Sequence, residues 1–311
     1  MTIRTPALLI AVCMVAMLSS GCERETATAP PAARADKTFL ADNAIWRAQR
    51  RANLLKPDGW TSLVGLHWIE LKAHYIGSSA DSGLRVAKGP PKMGLLQAQG
   101  GQLFFTPEQD VALTLDGQPL RDRVELKTDH DPAPSVIGFD DGKGAITVIE
   151  RGTRRALRVK HADAEARTGF AGLDYWPVDP SWRIDARFVP HPPGKTIEIA
   201  NITGMLEQTP NPGAVEFQRD GKPYRLEALD EGGDGLFLIL ADRTSGHGSY
   251  GAGRYIDAPK PDAEGRVVVD FNRAYNPPCA FTAFATCPLP PPENRLDLAI
   301  TAGEKAYKGE H

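Results

Sequence analysis

The sequence predicts a mainly β protein, an antiparallel β-sandwich or barrel-like single domain with an N-terminal amphipathic helix. Many short segments alternate apolar and polar residues with a period of two, and Asp-Gly pairs separate several of them. The alternation of strands and helices that predicts a parallel sheet is missing. With 311 residues, of which 41% are hydrophobic and 24% charged, the composition is that of an ordinary globular protein.

The N-terminal residues have the pattern of an export signal. A basic residue precedes an apolar run from Ala7 to Leu18, which is shorter than the roughly 20 residues needed to cross a bilayer. The run leads to Gly21 and Cys22, as in a bacterial lipoprotein cleavage site, although Leu18 lies one position further from the cysteine than usual. We expect a signal peptide over residues 1–21 and lipidation of Cys22, with an ordinary cleaved signal as the alternative.

Residues 22–37 are rich in Ala, Thr and Pro and show no periodicity, which predicts a flexible tether. The tether is expected to lead to a single β-rich domain over residues 38–311. We therefore expect an exported protein on the periplasmic face of the cell envelope. The membrane is then one partner, through the lipid at Cys22.

The segment from Thr38 to Leu55 has the periodicity of an amphipathic helix. Its arginines, Arg47, Arg50 and Arg51, are expected to face water. The expected apolar side consists of Phe39, Ile45, Trp46, Leu54 and Leu55. A proline and a glycine shortly afterwards end the helical pattern.

Three segments show the strand pattern most clearly. Residues 182–189 alternate and predict a half-buried strand, whereas residues 235–242 and 266–271 are nearly continuous apolar runs, typical of strands covered on both faces. Hairpin turns are expected at Asp116-Gly117, Asp141-Gly142 and Asp220-Gly221. Tight hairpin turns need the positive φ that glycine tolerates, so antiparallel pairing follows.

Cys279 and Cys287 remain once Cys13 leaves with the signal peptide and Cys22 carries lipid. Two thiols exported to an oxidising compartment usually pair, so we expect a disulfide between them. Free buried thiols and a reactive pair are the alternatives. A metal site is disfavoured, because cysteines eight positions apart lack the CxxC spacing and no histidine lies near them in the sequence.

Charge and motifs exclude several classes of ligand. The formal net charge of −3 supplies no basic field, so nucleic acid is not an expected partner. GHGSYG at residues 246–251 has the glycine spacing of a dinucleotide motif, but prolines break the segment that would have to be helical. We expect no cofactor and no metal.

A group of polar residues follows the apolar strands in the last quarter of the chain. The candidate ligand-binding residues are Asp242, Arg254, Asp270, Asn272, Tyr275, Asn276 and Glu304. Arg254 is suited to a two-point contact with an anion, and the amides to neutral hydrogen bonds. Six prolines between residues 277 and 292 restrict the backbone, which favours a preformed site. We expect a small polar or anionic ligand.

The same residues admit other interpretations. Arg254 paired with Asp242 or Asp270 is also suited to fixing loop structure. A hydrolase with Asp242, Asp270 or Glu304 as general base is a second hypothesis, and a structural envelope lipoprotein is a third. The segment GWTSLVGLHW, with its histidine and second tryptophan at positions 67 and 68, is a candidate for an opposite wall.

Several long segments resemble one family. GAGRYIDAP, VVVDFNRAYNPPCAF and ATCPLPPPENRL are similar to the closing motifs of domain-of-unknown-function family 1684. WRAQRRANLLKPDGWTSLVGLHWIE and YIGSS resemble its opening motifs, so the resemblance extends over residues 40–306. It implies one domain, and it implies no activity or catalytic residue. Relatives that look cytoplasmic share both cysteines, which does not favour a disulfide.

Overall fold

The computed structural model describes residues 1–2 and 37–309. By its contacts the chain divides into Met1–Ala32 and Ala33–His311, and the second unit contains the whole fold described below. The predicted signal peptide, the lipidation at Cys22 and nearly all of the predicted tether lie outside the described residues. Among the helices of the described part, none has the length and apolarity needed to cross a membrane.

Strands dominate the described residues, and the helices are few. The α-helices are α1 (Lys37–Leu54) and α2 (Glu165–Thr168), and short 3-10 helices occur at Trp60–Ser62, Pro180–Trp182, Phe271–Arg273, Pro278–Ala280 and Pro292–Asn294. The first strands are β1 (Leu63–Trp68), β2 (Ala73–Gly77), β3 (Leu84–Arg85), β4 (Gly94–Gln99), β5 (Gln102–Pro107), β6 (Thr114–Leu115), β7 (Gln118–Pro119), β8 (Val124–Leu126), β9 (Val136–Phe139), β10 (Gly144–Arg151) and β11 (Arg154–His161). The later strands are β12 (Arg183–Pro190), β13 (Thr196–Ala200), β14 (Leu206–Pro210), β15 (Gly213–Arg219), β16 (Lys222–Ala228), β17 (Gly235–Leu240), β18 (Arg254–Pro259) and β19 (Arg266–Asp270).

The strands form several open sheets. A six-stranded sheet has the order β1-β11-β10-β9-β6-β7, and a five-stranded sheet has the order β3-β2-β4-β5-β8. A four-stranded sheet, β16-β15-β12-β19, and the pairs β13-β14 and β17-β18 follow. All pairs between these strands are antiparallel except β2 with β3. The predicted mainly β, antiparallel class is confirmed, and no sheet of the described residues closes into a barrel.

The strand predicted from alternating apolar and polar residues and the turns predicted from Asp-Gly pairs are confirmed. Residues 183–190 form β12, in which Ala186 is buried while its neighbours Asp185 and Arg187 are exposed. The turn between β15 and β16 has both Asp220 and Gly221 at positive φ, 52° and 75°. This is the geometry of a tight hairpin turn that matches the twist of the flanking strands.

Two large apolar cores support the sheets. The first takes side chains from the six-stranded and five-stranded sheets together, so these two sheets pack face to face. The second is formed by the four-stranded sheet, the β17-β18 pair and residues 296–302, including Ile300 and Ala302. A smaller cluster packs Leu63 of β1 against Ile239 of β17 and against both cysteines. It brings the proline-rich segment against the first half of the domain.

Helix α1 has the predicted extent, and Leu54 is buried and Arg51 exposed as predicted, but the predicted positions of Ile45, Arg47 and Arg50 are wrong. Ile45 is 65% exposed, and Asn43 is fully buried. Arg47 donates to the carbonyl oxygen of Trp176, and Arg50 contacts the carboxylate of Glu304. The helix therefore packs on backbone carbonyls and a buried carboxylate through its arginines, which an apolar stripe cannot do.

Candidate functional site

Arg254, the residue most suited by sequence to hold an anion, lies entirely inside the protein. Its side chain has no exposed surface, and its Nη2 donates to a carboxylate oxygen of Asp242 at 2.7 Å. The carbonyl oxygens of Ile300, Ala302 and Glu304 accept from the same guanidinium. Burial lowers the pKa of Arg254, and the charge of Asp242 opposes this shift. The guanidinium thus holds residues 300–304 against β18.

The side chains of Asn272 and Asp270 also form hydrogen bonds with the backbone. The side-chain oxygen of Asn272 accepts from the amide of Asp179, and its Nδ2 donates to the carbonyl of the same residue, each at 2.9 Å. Asp270 caps the short helix that follows it by accepting from the amide of Asn272 at 3.0 Å. Both side chains therefore fix the turn that follows β19.

Glu304 and Asn276 connect helix α1 to the end of the domain. Glu304 has no exposed surface, and its carboxylate accepts from Nε of Arg50 at 2.9 Å and from the amide of Asn276 at 2.8 Å. The side chain of Asn276 donates to the carbonyl of Lys305 at 2.7 Å. Tyr275, another of the seven predicted ligand residues, lines a cavity.

That cavity is a recess of about 350 Å³, at the lower end of the size range of small-molecule sites. The proline-rich segment forms one wall of this recess through Pro278 and residues 285–288. The rest of the lining consists of Arg50, Leu54, Trp60, Arg151, Arg158, Glu231, Phe237, Tyr255, Asp257 and Tyr275. Trp60 comes from the segment predicted as an opposite wall, whereas its His67 and Trp68 do not reach the recess.

One side of the recess carries two neighbouring arginines. Arg151, at the end of β10, donates from Nε to the hydroxyl oxygen of Thr286 at 3.2 Å, and its Nη1 pairs with Asp129 at 2.7 Å. Arg158 of β11 donates to the same hydroxyl oxygen at 3.4 Å. We call Arg151, Arg158 and Thr286 the arginine triad.

Arg158 differs from Arg254 in having no carboxylate partner among the described residues. No carboxylate of the described residues lies within ion-pair distance of it, and its buried Nε has no hydrogen-bond partner among them. Burial lowers the pKa of Arg158 to about 10, and the positive charge of Arg151 adds to this shift. The residue is therefore still a cation at neutral pH, partly desolvated and next to a second cation.

A second group of charges also lines the recess. The hydroxyl of Tyr275 donates to Asp257 at 3.2 Å, and the guanidinium of Arg50 lies 4.7 Å from the centre of the Tyr275 ring. Burial raises the pKa of Asp257, against the effects of Tyr275 and Arg50. We call Asp257, Tyr275 and Glu231 the acidic side of the recess.

Glu231 shares the environment of Asp257. Burial raises its pKa, and the charge of Asp257 raises it further. Both residues are exposed to solvent although protein atoms lie around their carboxylates, so these groups are only partly desolvated. Their ionised forms are thus less favourable than those of ordinary surface carboxylates.

A neighbouring recess of about 430 Å³ continues the cavity. The two share Arg151, Glu231, Thr286 and Pro288. The second adds His130, Asn201 and other polar residues to the lining. Arg151 and Thr286 of the arginine triad, together with Glu231, therefore lie where the two recesses meet, with room for a ligand to extend beyond them.

Cys279 and Cys287 are free, buried thiols in the structure, so the predicted disulfide is not present in it. They are nevertheless adjacent, since the amide of Cys279 donates to Sγ of Cys287 at 3.1 Å. Their mutual hydrogen bond lowers the pKa of Cys279 and raises that of Cys287. Pairing remains a prediction, and it concerns the cavity directly because Cys287 is part of the lining.

Sequence reasoning missed the arginines and carboxylates of the recess. Arg50 was expected to face water, and the other two arginines lie in strands whose alternation shows only that one face is polar. Arg158 lies between buried Leu157 and Val159, which is the ordinary alternation of a half-buried strand and gives no signal of a site. No group of three or more His, Cys, Asp or Glu side chains arranged to bind a metal occurs in residues 37–309.

Comparisons with known proteins identify relatives without an assigned activity. Residues 168–305 match the model of the family described as "Protein of unknown function (DUF1684)". The predicted resemblance is confirmed over this segment, which contains the acidic side and the proline-rich wall but not Arg50, Arg151 or Arg158. The solution structure of an uncharacterized protein of Haloarcula marismortui is 32% identical, covers 45% of this chain and 78% of its own, and has a TM-score of 0.37. No curated protein matches the chain.

Proposed function

We propose that the protein binds a small anionic molecule at the arginine triad. The observation that carries the proposal is Arg158, a desolvated guanidinium with no carboxylate partner among the described residues and a buried Nε without an acceptor. Buried charges in proteins are ordinarily paired, and unpaired ones mark places where a partner is missing. An anion in the recess would supply that partner.

The surroundings of the triad support an oxyanion in particular. Arg151 and Arg158 both point nitrogens at one hydroxyl oxygen, at 3.2 and 3.4 Å, which are long contacts for charged donors. An oxyanion displacing those contacts would accept from both guanidinium groups and from the hydroxyl of Thr286. The prolines of the wall keep the backbone fixed, so little conformational entropy is lost on binding.

Titration calorimetry with inorganic phosphate and sulfate tests the site. Wild-type protein is expected to bind at least one of them, and Arg158→Gln is expected to weaken that binding at least about tenfold, the scale of one lost charge-assisted contact. Arg183→Gln is the matched control, since Arg183 is exposed on β12 and lies outside the recess. Equal affinity of the two variants would refute the assignment.

Hydrolysis of a bound ester or phosphoester is a second candidate function. It is favoured by Asp257 and Glu231, whose raised pKa values and position in the recess suit a general base better than Asp242, Asp270 or Glu304, which are held in structural contacts. Turnover of a chromogenic phosphoester or carboxylic ester that is lost in Asp257→Asn would support it. If neither binding nor turnover is observed, the structural role in the envelope would be the remaining hypothesis.

We also propose that the protein acts outside the cytoplasm, held at the membrane by lipid on Cys22. The support is the apolar run followed by Gly21-Cys22 and the proline-rich segment after it. Expressed with its N-terminal segment, the protein should label with a fatty-acid analogue and sediment with membranes. Cys22→Ala should abolish the label, and an unchanged label would refute the assignment.

A further inference from the structure

We propose, on the basis of the anion site, that its ligand is a phosphorylated sugar or polyol. The proposal rests on the fact that one recess holds both a cationic and an acidic side. The two sides make different contacts, since Tyr275 donates to Asp257 whereas Arg151 and Arg158 donate to Thr286. Arg50 acts on Asp257, whereas Arg151 and Asp129 act on Arg158. A ligand that fits must therefore offer a negatively charged group to the arginines and hydrogen-bond donors to the carboxylates.

The arginine triad suits a phosphate better than a carboxylate. A planar carboxylate is satisfied by one guanidinium in a two-point contact. The triad instead offers donors from two guanidinium groups and a hydroxyl, and Asp129 compensates one of the two positive charges. Several oxygens and a double negative charge are the properties of a phosphate group near neutral pH.

The acidic side requires hydrogen-bond donors on the rest of the ligand. Asp257 and Glu231 would repel a second anionic group, while their oxygens accept from hydroxyl groups. Binding of a hydroxyl would also compensate for the desolvation that raises the pKa values of both carboxylates. Carboxylate acceptors therefore select a neutral, hydroxyl-rich body.

The remaining lining is consistent with a sugar or polyol. Trp60 is 37% exposed and contributes an aromatic face to the recess. Such faces pack against the C–H groups of a sugar ring or polyol chain, while the polar lining fixes its hydroxyl groups. The recess is small enough for one such unit, and the adjoining recess leaves room for a substituent.

The test compares four ligands by titration calorimetry at one ionic strength: inorganic phosphate, glycerol 3-phosphate, ribose 5-phosphate and glucose 6-phosphate. At least one organic phosphate is expected to bind about tenfold more tightly than inorganic phosphate, through one or more contacts to a carboxylate. Asp257→Asn should remove most of that advantage and leave the affinity for inorganic phosphate within about twofold. Arg158→Gln should weaken all four ligands together.

Failure of this inference and failure of the anion site give different results. If inorganic phosphate binds and no organic phosphate exceeds it, the ligand class is wrong while the anion site stands. The same holds if Asp257→Asn strengthens all four ligands equally, because the carboxylate then only repels anions. If none of the four binds, or if Arg158→Gln changes nothing, both proposals are overturned. Glu231→Gln provides a second test of the acidic side and should act in the same direction as Asp257→Asn.

Discussion

Arg254 and Arg158 are both largely withdrawn from water, but their surroundings differ in what they leave unsatisfied. Arg254 is paired with Asp242 and surrounded by three carbonyl oxygens. Arg158 contacts one hydroxyl group at 3.4 Å and lies beside another arginine. The first arrangement is a closed structural cluster, and the second is open to a recess. Both residues have a buried Nε without an acceptor, so the difference between them is the carboxylate that Arg254 has at 2.7 Å and that Arg158 lacks among the described residues.

The strongest test of this difference is removal of the closed cluster. Arg254→Met leaves the Asp242 carboxylate buried without its cation, and the free energy of unfolding is expected to fall by about 3–5 kcal/mol. Urea unfolding followed by circular dichroism measures the change. The double variant Arg254→Met/Asp242→Leu should recover part of the loss. A loss below about 1 kcal/mol in the single variant would mean that Arg254 is not a structural residue.

Oxidation of the cysteine pair tests whether a covalent link in the wall of the recess stabilises the fold. On a chain-entropy basis, oxidation of Cys279 and Cys287 to a disulfide is expected to add about 2.5 kcal/mol to the free energy of unfolding, less any strain. Non-reducing mass spectrometry of protein recovered from the cell envelope shows whether the pair forms. Recovery of two alkylated thiols would exclude the disulfide in that compartment. Unfolding with and without reductant measures its stabilising effect.

Arg158→Met should affect stability in the opposite direction to Arg254→Met. Removing a desolvated cation that has no carboxylate partner is expected to leave the ligand-free protein unchanged or up to about 1 kcal/mol more stable. The same urea titration measures it, with Arg183→Gln as the exposed control. A loss above about 2 kcal/mol would assign Arg158 a structural role and remove the contrast.

The smallest expected effect is a pH dependence from the acidic side. The folded protein raises the pKa values of Asp257 and Glu231 above their ordinary values of 3.8 and 4.5. The folded state therefore binds protons more readily, and stability falls as pH rises from the ordinary pKa through the raised one. Asp257→Asn should lessen this fall, so the variant gains relative to wild type at neutral pH. Below pH 3.8 the two unfolding curves should converge, and a parallel difference at every pH would contradict the assignment.

The parts of the fold that depend on local pattern could be predicted, and the candidate site could not. Strand β12 and the Asp220-Gly221 turn follow from alternation and from the backbone freedom of glycine, both of which are local. The faces of α1 could not be predicted, because its arginines find their partners at Trp176 and Glu304, far along the chain. The proline-rich segment predicted a rigid wall, but not which side chains it would face.

The charged groups of the recess come from two separate parts of the sequence. Its cationic side comes from residues before position 160, whereas its acidic side and proline-rich wall come from the segment that matches the family model. A homologue that retained only the second contribution would present Asp257 and Glu231 without Arg151 and Arg158. The electrostatic potential in the recess of such a homologue would change sign. A recess with the same proline-rich wall would then favour amines over phosphates.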